Sequence, residues 1–267
     1  MPATSEEYVG TKVVGVPPPN APGKTLTGVL VLCDAEGTPV GFLNSQELTA
    51  FRTALGPMPL LQLRREVANV VVFGAGKQAF WHIRLTLMLR PGEVESITIV
   101  NRSKPRADEL IQNLKAFVGS DVEFLCFVKG AEQLGPKKRS YIAAIGSYHE
   151  SMSELDPKLF RKIIRMQQVE HIIVDSKSAC FKEAGEIIQA KLKEEDVYEI
   201  GVMLRNIPRL QEVKEEEMDQ GAYLEREWYE SGLMIYKSVG MGVMILAVGG
   251  AILELAKSKN VGDNSLL

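Results

Sequence analysis

Apolar and polar positions along the chain change period repeatedly, and each change predicts a different kind of element. In GVLVLCDAEGTPVGFLN, residues 28 to 44, apolar residues alternate with small or polar ones on either side of a Glu-Gly step, which is the pattern of a β-hairpin. Ahead of it, KVVGV starts like a strand at Lys12 and runs into PPPNAP, whose prolines continue neither a helix nor a central strand, so a loop is expected through Pro22. Ser45 precedes QELTAFRTAL, with Glu47 in the first turn, and a helix capped by Ser45 and carrying Arg52 is expected there. Gly56 and Pro57 interrupt it, with a second helical piece after them.

From residue 67 the pattern becomes strand, helix, strand: VANVVVF, then Gln78 to Leu89, then SITIV from Ser96 to Val100. PRADELIQNLKAFV reads as an amphipathic helix, DVEFLCFV and SYIAAIGSY as strands, ELDPKLFRKIIRM as a helix and HIIVDS as a strand. The fold class is therefore α/β, with a parallel layer in mid-chain. KEEEMDQ, 214 to 220, reads as a solvated face. SVGMGVMILAVGGAILELA, 238 to 256, has nearly the length of a membrane span, yet it contains glycines and a glutamate and has little basic flank before it beyond Lys237. It reads as a buried helix of a globular core.

Composition narrows the class. The chain has 267 residues and a net charge of −3, enough for one or two cores and too near neutrality to suggest a nucleic-acid partner. Cys33, Cys126 and Cys180 are few and widely spaced, fitting neither a disulfide framework nor a zinc site, so no metal is expected. The start MPATSEEYVG lacks an apolar secretory core, and a cytoplasmic protein is expected.

The chemistry concentrates at Gly74-Ala75-Gly76-Lys77-Gln78-Ala79, a G-x-G-x-x-A match between a predicted strand and a predicted helix. In that setting the first glycine permits the turn, the second lets backbone approach a pyrophosphate, and Ala79 allows close helix packing. Lys77 and Gln78 open the helix, whose N–H groups face the phosphates. The second strand ends in Asn101-Arg102-Ser103, where a carboxylate would select NAD(H) by holding the ribose hydroxyls. Arg102 offers a charged fork instead, with donors from Ser103 and Lys104, so NADPH is expected over NADH.

Several stretches together resemble the ornithine cyclodeaminase and mu-crystallin family: GTKVVGVPPPN, ELTAFRTAL, VVVFGAGKQA, ITIVNRS, IAAIGSYHESMSELD, IIVDSKSACFKEAGEI and YKSVG, in the family's order. The resemblance implies a Rossmann-type dinucleotide-binding domain, 61 to 229, and a second α/β domain for substrate binding and dimerisation, built from 1 to 60 with 230 to 267. It also implies a homodimer acting on a small amino or imino acid. Carried over by position, Lys12 matches the substrate lysine and Arg52 the arginine on the substrate carboxylate, while Thr27, Ser238 and Val239 match positions lining the nicotinamide or the substrate.

Two departures bear on activity. Where true cyclodeaminases place an acid/base aspartate after the strand matching IAAIGSY, this chain has Tyr148, a poor substitute for a carboxylate base. Asp175, His149 and Glu150 remain as weaker candidates nearby. The segment before GTKVVGV is also short, and PKKR stands where the family has a further strand near 135 to 140, so an active-site wall and part of the nicotinamide floor are expected to be missing. The leading expectation is an NADPH-dependent reductase of imine carboxylates. A lyase of the ornithine cyclodeaminase type and a dinucleotide-binding protein without turnover are the alternatives.

Overall fold

The computed structural model describes residues 2–15, 27–118, 122–128, 139–165, 172–213 and 215–262. The proline-rich loop expected from Val16 to Pro22 and most of the expected deletion near 135 to 140 lie outside them. The chain divides into two compact units, one of Met1–Thr53 with Met241–Leu267, the other of Ala54–Gly240.

In the first unit, β1 (Pro2–Thr4), β2 (Tyr8–Gly15), β3 (Thr27–Asp34) and β4 (Pro39–Asn44) form an antiparallel sheet in sequence order. The expected hairpin is β3–β4, closed by Asp34, whose carboxylate accepts from the amides of Glu36 and Thr38. α1 (Ser45–Leu55) follows at once. Its cap is one residue earlier than expected: the Gln46 amide donates to Asn44 Oδ1 at 2.9 Å, and Ser45 is the buried first residue of the helix. α10 (Gly242–Lys259) lies on the sheet, where Leu30, Leu32, Leu48, Ile245 and Leu246 make the core. Its glycines serve that approach, since a Cβ on Gly250 would stand 2.5 Å from the Tyr8 ring and one on Gly249 2.7 Å from Leu30. The expected buried helix is buried along one face, as one helix on one sheet allows, and Val243 and Leu255 off that face are exposed. Among the described residues no helix is long and apolar enough to cross a membrane.

The second unit begins with α2 (Met58–Gln62), then β5 (Asn69–Phe73), α3 (Lys77–Leu89), β6 (Ser96–Val100), α4 (Lys104–Lys115) and β7 (Glu123–Phe127). The three strands are parallel, in order β5-β6-β7, which makes a βαβαβ half of a Rossmann-type sheet. A second parallel sheet has the order β10-β9-β11-β8, from β8 (Tyr141–Ala144), β9 (Ile172–Val174), β10 (Val197–Glu199) and β11 (Met234–Lys237). Around it stand α5 (Pro157–Arg165), α6 (Lys177–Glu183), α7 (Gly185–Ala190), α8 (Ile200–Glu212) and α9 (Gln220–Ser231). β11 pairs with β9 on one side and β8 on the other, and all four of its residues are buried.

A buried cation ties the chain after α2 to the end of α9. Arg64, 4 % exposed, donates to the carbonyls of Tyr229 (2.8 Å) and Gly232 (2.8 Å) and, at 3.3 Å, of Trp228, meeting the last turn of α9 where helix carbonyls lack internal partners. Arg64→Met should lower stability by about 2–4 kcal/mol, read as an earlier denaturant midpoint, and Arg64→Lys should recover only part because an ammonium cannot span three carbonyls as a fork.

Candidate functional site

The glycine loop joins β5 to α3. Gly74 has φ +108°, a backbone region that favours glycine, and its amide donates to Val100 O at 2.8 Å, anchoring the loop to β6. Gly76 caps α3 at φ −102°, ψ −172°, which any residue adopts, and a Cβ there would meet nothing within 4 Å. Neither the backbone nor the packing of the chain requires glycine at 76. The space in front of the helix start is open, as close approach by a pyrophosphate requires, so the residues present fit a dinucleotide. Ala79 is buried, Lys77 is exposed, and Gln78 keeps a buried Oε1 without a hydrogen-bond partner.

Asn101, Arg102 and Ser103 follow β6, whose Val100 pairs with Phe73 of β5, so they and the glycine loop share the carboxyl end of one sheet. Asn101 is fixed at both ends, its amide donating to Phe127 O and its Nδ2 to Ser103 O. Ser103 is the N-cap residue of α4 and makes no side-chain cap bond. Lys104 is taken up by Asp108 at 2.8 Å, while Arg102 is exposed.

In the first unit, the structure brings Lys12 and Arg52 together. Lys12 lies on β2 opposite Leu30, and its Nζ reaches Thr49 Oγ1 at 3.5 Å; Thr49 and Arg52 are one turn apart on α1. Lys12 is 8 % exposed and Arg52 7 %. Burial, and then the neighbouring guanidinium, lower the Lys12 pKa from the ordinary 10.5. Two cations held this close out of solvent favour an anion beside them. Thr27 opens β3 opposite Gly15 and is exposed. Thr49 escaped the sequence reading because a lone helical threonine carries no pattern of its own.

Ser238 and Val239 follow β11 in a turn held by Asp175. Ser238 Oγ donates to Asp175 Oδ2 at 2.6 Å, the amides of Val239 and Gly240 donate to the same oxygen, and the amide of Ser176 and the thiol of Cys180 donate to Oδ1. Burial, with Asp175 second, pushes the Cys180 thiol up. Asp175 is thereby corrected from a candidate acid/base to a clamp on the 238–240 turn, since its lone pairs are taken. Tyr148 is 64 % exposed. His149 and Glu150 are exposed as well, with His149 Nδ1 bonded to Ser151 Oγ.

The sequence reading also missed Glu154, Glu186 and Lys237. Lys237 ends β11 with no exposure, its Nζ 3.0 Å from Glu154 Oε2 and 3.8 Å from Glu186 Oε1. A lysine directly after MIY in SGLMIYKSVG, at the end of an apolar strand, was the available signal.

Residues 1–132 match the model of the ornithine cyclodeaminase/mu-crystallin family. Over that stretch, just under half of its length, the chain is similar to that family. A Δ1-pyrroline-2-carboxylate reductase of Bacillus cereus is 27% identical to it, over 98% of this chain and 82% of the relative. Among solved structures, the Thermococcus litoralis Δ1-pyrroline-2-carboxylate reductase, held with NADH and L-proline, superposes with a TM-score of 0.75 at 19% identity, covering 96% of this chain and 80% of that one. An archaeal alanine dehydrogenase dimer with bound NAD also gives 0.75 at 19% identity, covering 100% and 83%. The likeness to these structures shows the shared Rossmann-type fold.

With Lys12 labelled at Cε, its NMR titration should midpoint below 10.5, and Arg52→Met should move it upward only part of the way, because burial is the larger cause. A midpoint at the ordinary value would contradict the buried pair. Because the folded pKa lies below the unfolded one, Lys12 opposes folding when protonated, and its contribution improves as pH rises between the two values.

Proposed function

We propose that the protein is an NADPH-dependent reductase of imine (ketimine) carboxylates, in the manner of mu-crystallin-like family members, working as a homodimer. The buried Lys12–Arg52 pair carries the reading, because a carboxylate beside a basic nitrogen is the small substrate that uses both cations. In this reading residues 61 to 229 hold the dinucleotide, through Gly74, Gly76, Lys77, Gln78 and the Asn101–Ser103 end of β6. The unit of residues 1 to 53 with 241 to 267 supplies the substrate side and the dimer contact, and Thr27, Ser238 and Val239 line the reacting groups.

When bound, a reduced nicotinamide supplies the hydride that the C=N carbon accepts. The rest is the work of the chain. Arg52 grips the substrate carboxylate as a planar fork and fixes which face of the imine is presented. Lys12, with its pKa lowered by burial and by Arg52, is a better proton donor near neutrality than an ordinary lysine and is assigned to polarise or protonate the imine nitrogen, directly or through a water. Arg102 is assigned to the 2′-phosphate.

Purified protein should oxidise NADPH when a pyrroline or piperideine carboxylate is added, with ammonia release from ornithine absent. Ammonia release would favour the lyase, and binding without oxidation a non-catalytic role. Arg52→Ala should raise KM for the imine about ten- to a hundredfold. By calorimetry, Arg102→Ala should weaken NADPH about tenfold and leave NADH nearly unchanged, whereas Gly76→Ala should weaken both and shift melting little. Equal losses of both cofactors in Arg102→Ala would refute its assignment.

A further inference from the structure

The carboxyl ends of β8 and β11 carry a charge network with no part in the chemistry assigned above, in which Lys237 and Glu186 are wholly buried and Glu154 is partly exposed. Glu154 Oε2 accepts from the amides of Gly146 (2.6 Å) and Ser147 (3.0 Å) and from Lys237 Nζ (3.0 Å). Glu186, wholly buried in the first turn of α7, accepts from the Glu154 amide (2.7 Å) and from Ser147 Oγ (2.7 Å), with Lys237 Nζ at 3.8 Å. Gly185 lets α7 press on this loop, since a Cβ there would stand 1.9 Å from Met152 O. One ammonium thus faces two carboxylates, and those carboxylates fold the segment after β8 back onto the sheet. The residue after Lys237 begins the turn that Asp175 holds. In parallel α/β sheets, ligands sit outside such strand ends.

We propose that Lys237 is a positioning residue: its ammonium, shared between Glu154 and Glu186, holds the 146–154 loop and the 238–240 turn in the form that admits the dinucleotide. The ligand part rests on the function proposed above. Removing one member of a buried charge set leaves the others uncompensated, whereas removing charge from both sides restores the balance. Lys237→Met leaves Glu154 and Glu186 facing each other, and hydration of either carboxylate pulls it off its donors. Lys237→Met/Glu186→Gln returns the local charge to its original value and keeps the shape at 186.

Amide hydrogen exchange and dinucleotide calorimetry on the full chain test this. In Lys237→Met, protection at the Gly146 and Ser147 amides and affinity for NADPH should each fall about tenfold, and in the double variant both should return to within about threefold of the original. Unchanged protection in Lys237→Met, or equal loss in both variants, would overturn the proposal, the latter because a lysine that only fills space is not rescued at Glu186. Lost protection with unchanged NADPH affinity would overturn the positioning role. If the unsubstituted protein binds no dinucleotide, the proposed function fails, and exchange still decides whether Lys237 holds the loops. If Lys237→Met does not fold, Ser147→Ala, which removes the hydroxyl that donates to Glu186 at 2.7 Å and reaches Met152 O at 3.3 Å, should lower protection at the same amides about threefold. No change there would equally overturn the proposal.

Discussion

A lysine ammonium with no exposure to solvent brings its countercharge with it, and at the end of β11 that requirement shapes the surrounding chain. β11 is an inner strand, paired on both sides, so Lys237 cannot turn outward without breaking the sheet. Glu154 reaches it from the segment after β8, and Glu186 from the start of α7. Each carboxylate also satisfies backbone amides that end a strand or start a loop, so one set of charges settles the orphan donors of two segments. Asp175 does the same for the turn after β11, using one carboxylate and no countercharge, because its donors are mostly backbone amides and a hydroxyl. Strand ends that would otherwise be ragged become defined edges.

The buried cations of the two units are of different kinds. Lys237 has carboxylates on two sides, so its burial is compensated within the fold. Lys12 is lowered by burial and by a second cation, two influences that act in the same direction and both disfavour its charged form. An anionic ligand placed beside both cations would be attracted by each, and that is why the proposed chemistry is assigned to Lys12.

The sequence made the backbone legible and the polar network largely not. SITIV, the hairpin and the strand, glycine turn and helix around Gly74 carry strong local periods, and they stand where the pattern puts them. α10 reads as a buried helix with no face assigned. Its apolar residues run round the whole helix, and only the close approach to β1–β4 at Gly249 and Gly250 distinguishes the buried face. The Asn44 cap was displaced by one residue because Asn44 and Ser45 are both good caps and local sequence does not rank them. Glu154, Glu186 and Lys237 meet across separations of 83, 32 and about 50 residues, and no local pattern encodes such a meeting. Asp175 was visible as an acid at a strand end, but its role depends on which donors surround it.

Cofactor preference turns on a smaller set of atoms than cofactor binding does. The glycine loop and the start of α3 would face a pyrophosphate present in both nicotinamide dinucleotides, so whatever they contribute cancels in the comparison. The difference must arise where the two molecules differ, at the ribose 2′ position, which in this fold falls at the end of the second strand. Asn101 is bonded in place and Lys104 is engaged by Asp108, leaving the exposed Arg102 as the group able to offer a planar fork. No acid stands in the Asn101–Ser103 turn to hold a free diol or to repel a phosphate. The proposed preference for the phosphorylated cofactor therefore rests on one guanidinium in a solvated position, where its contribution is a few hydrogen bonds screened by water and salt. A modest selectivity, sensitive to ionic strength, is what such an arrangement supports.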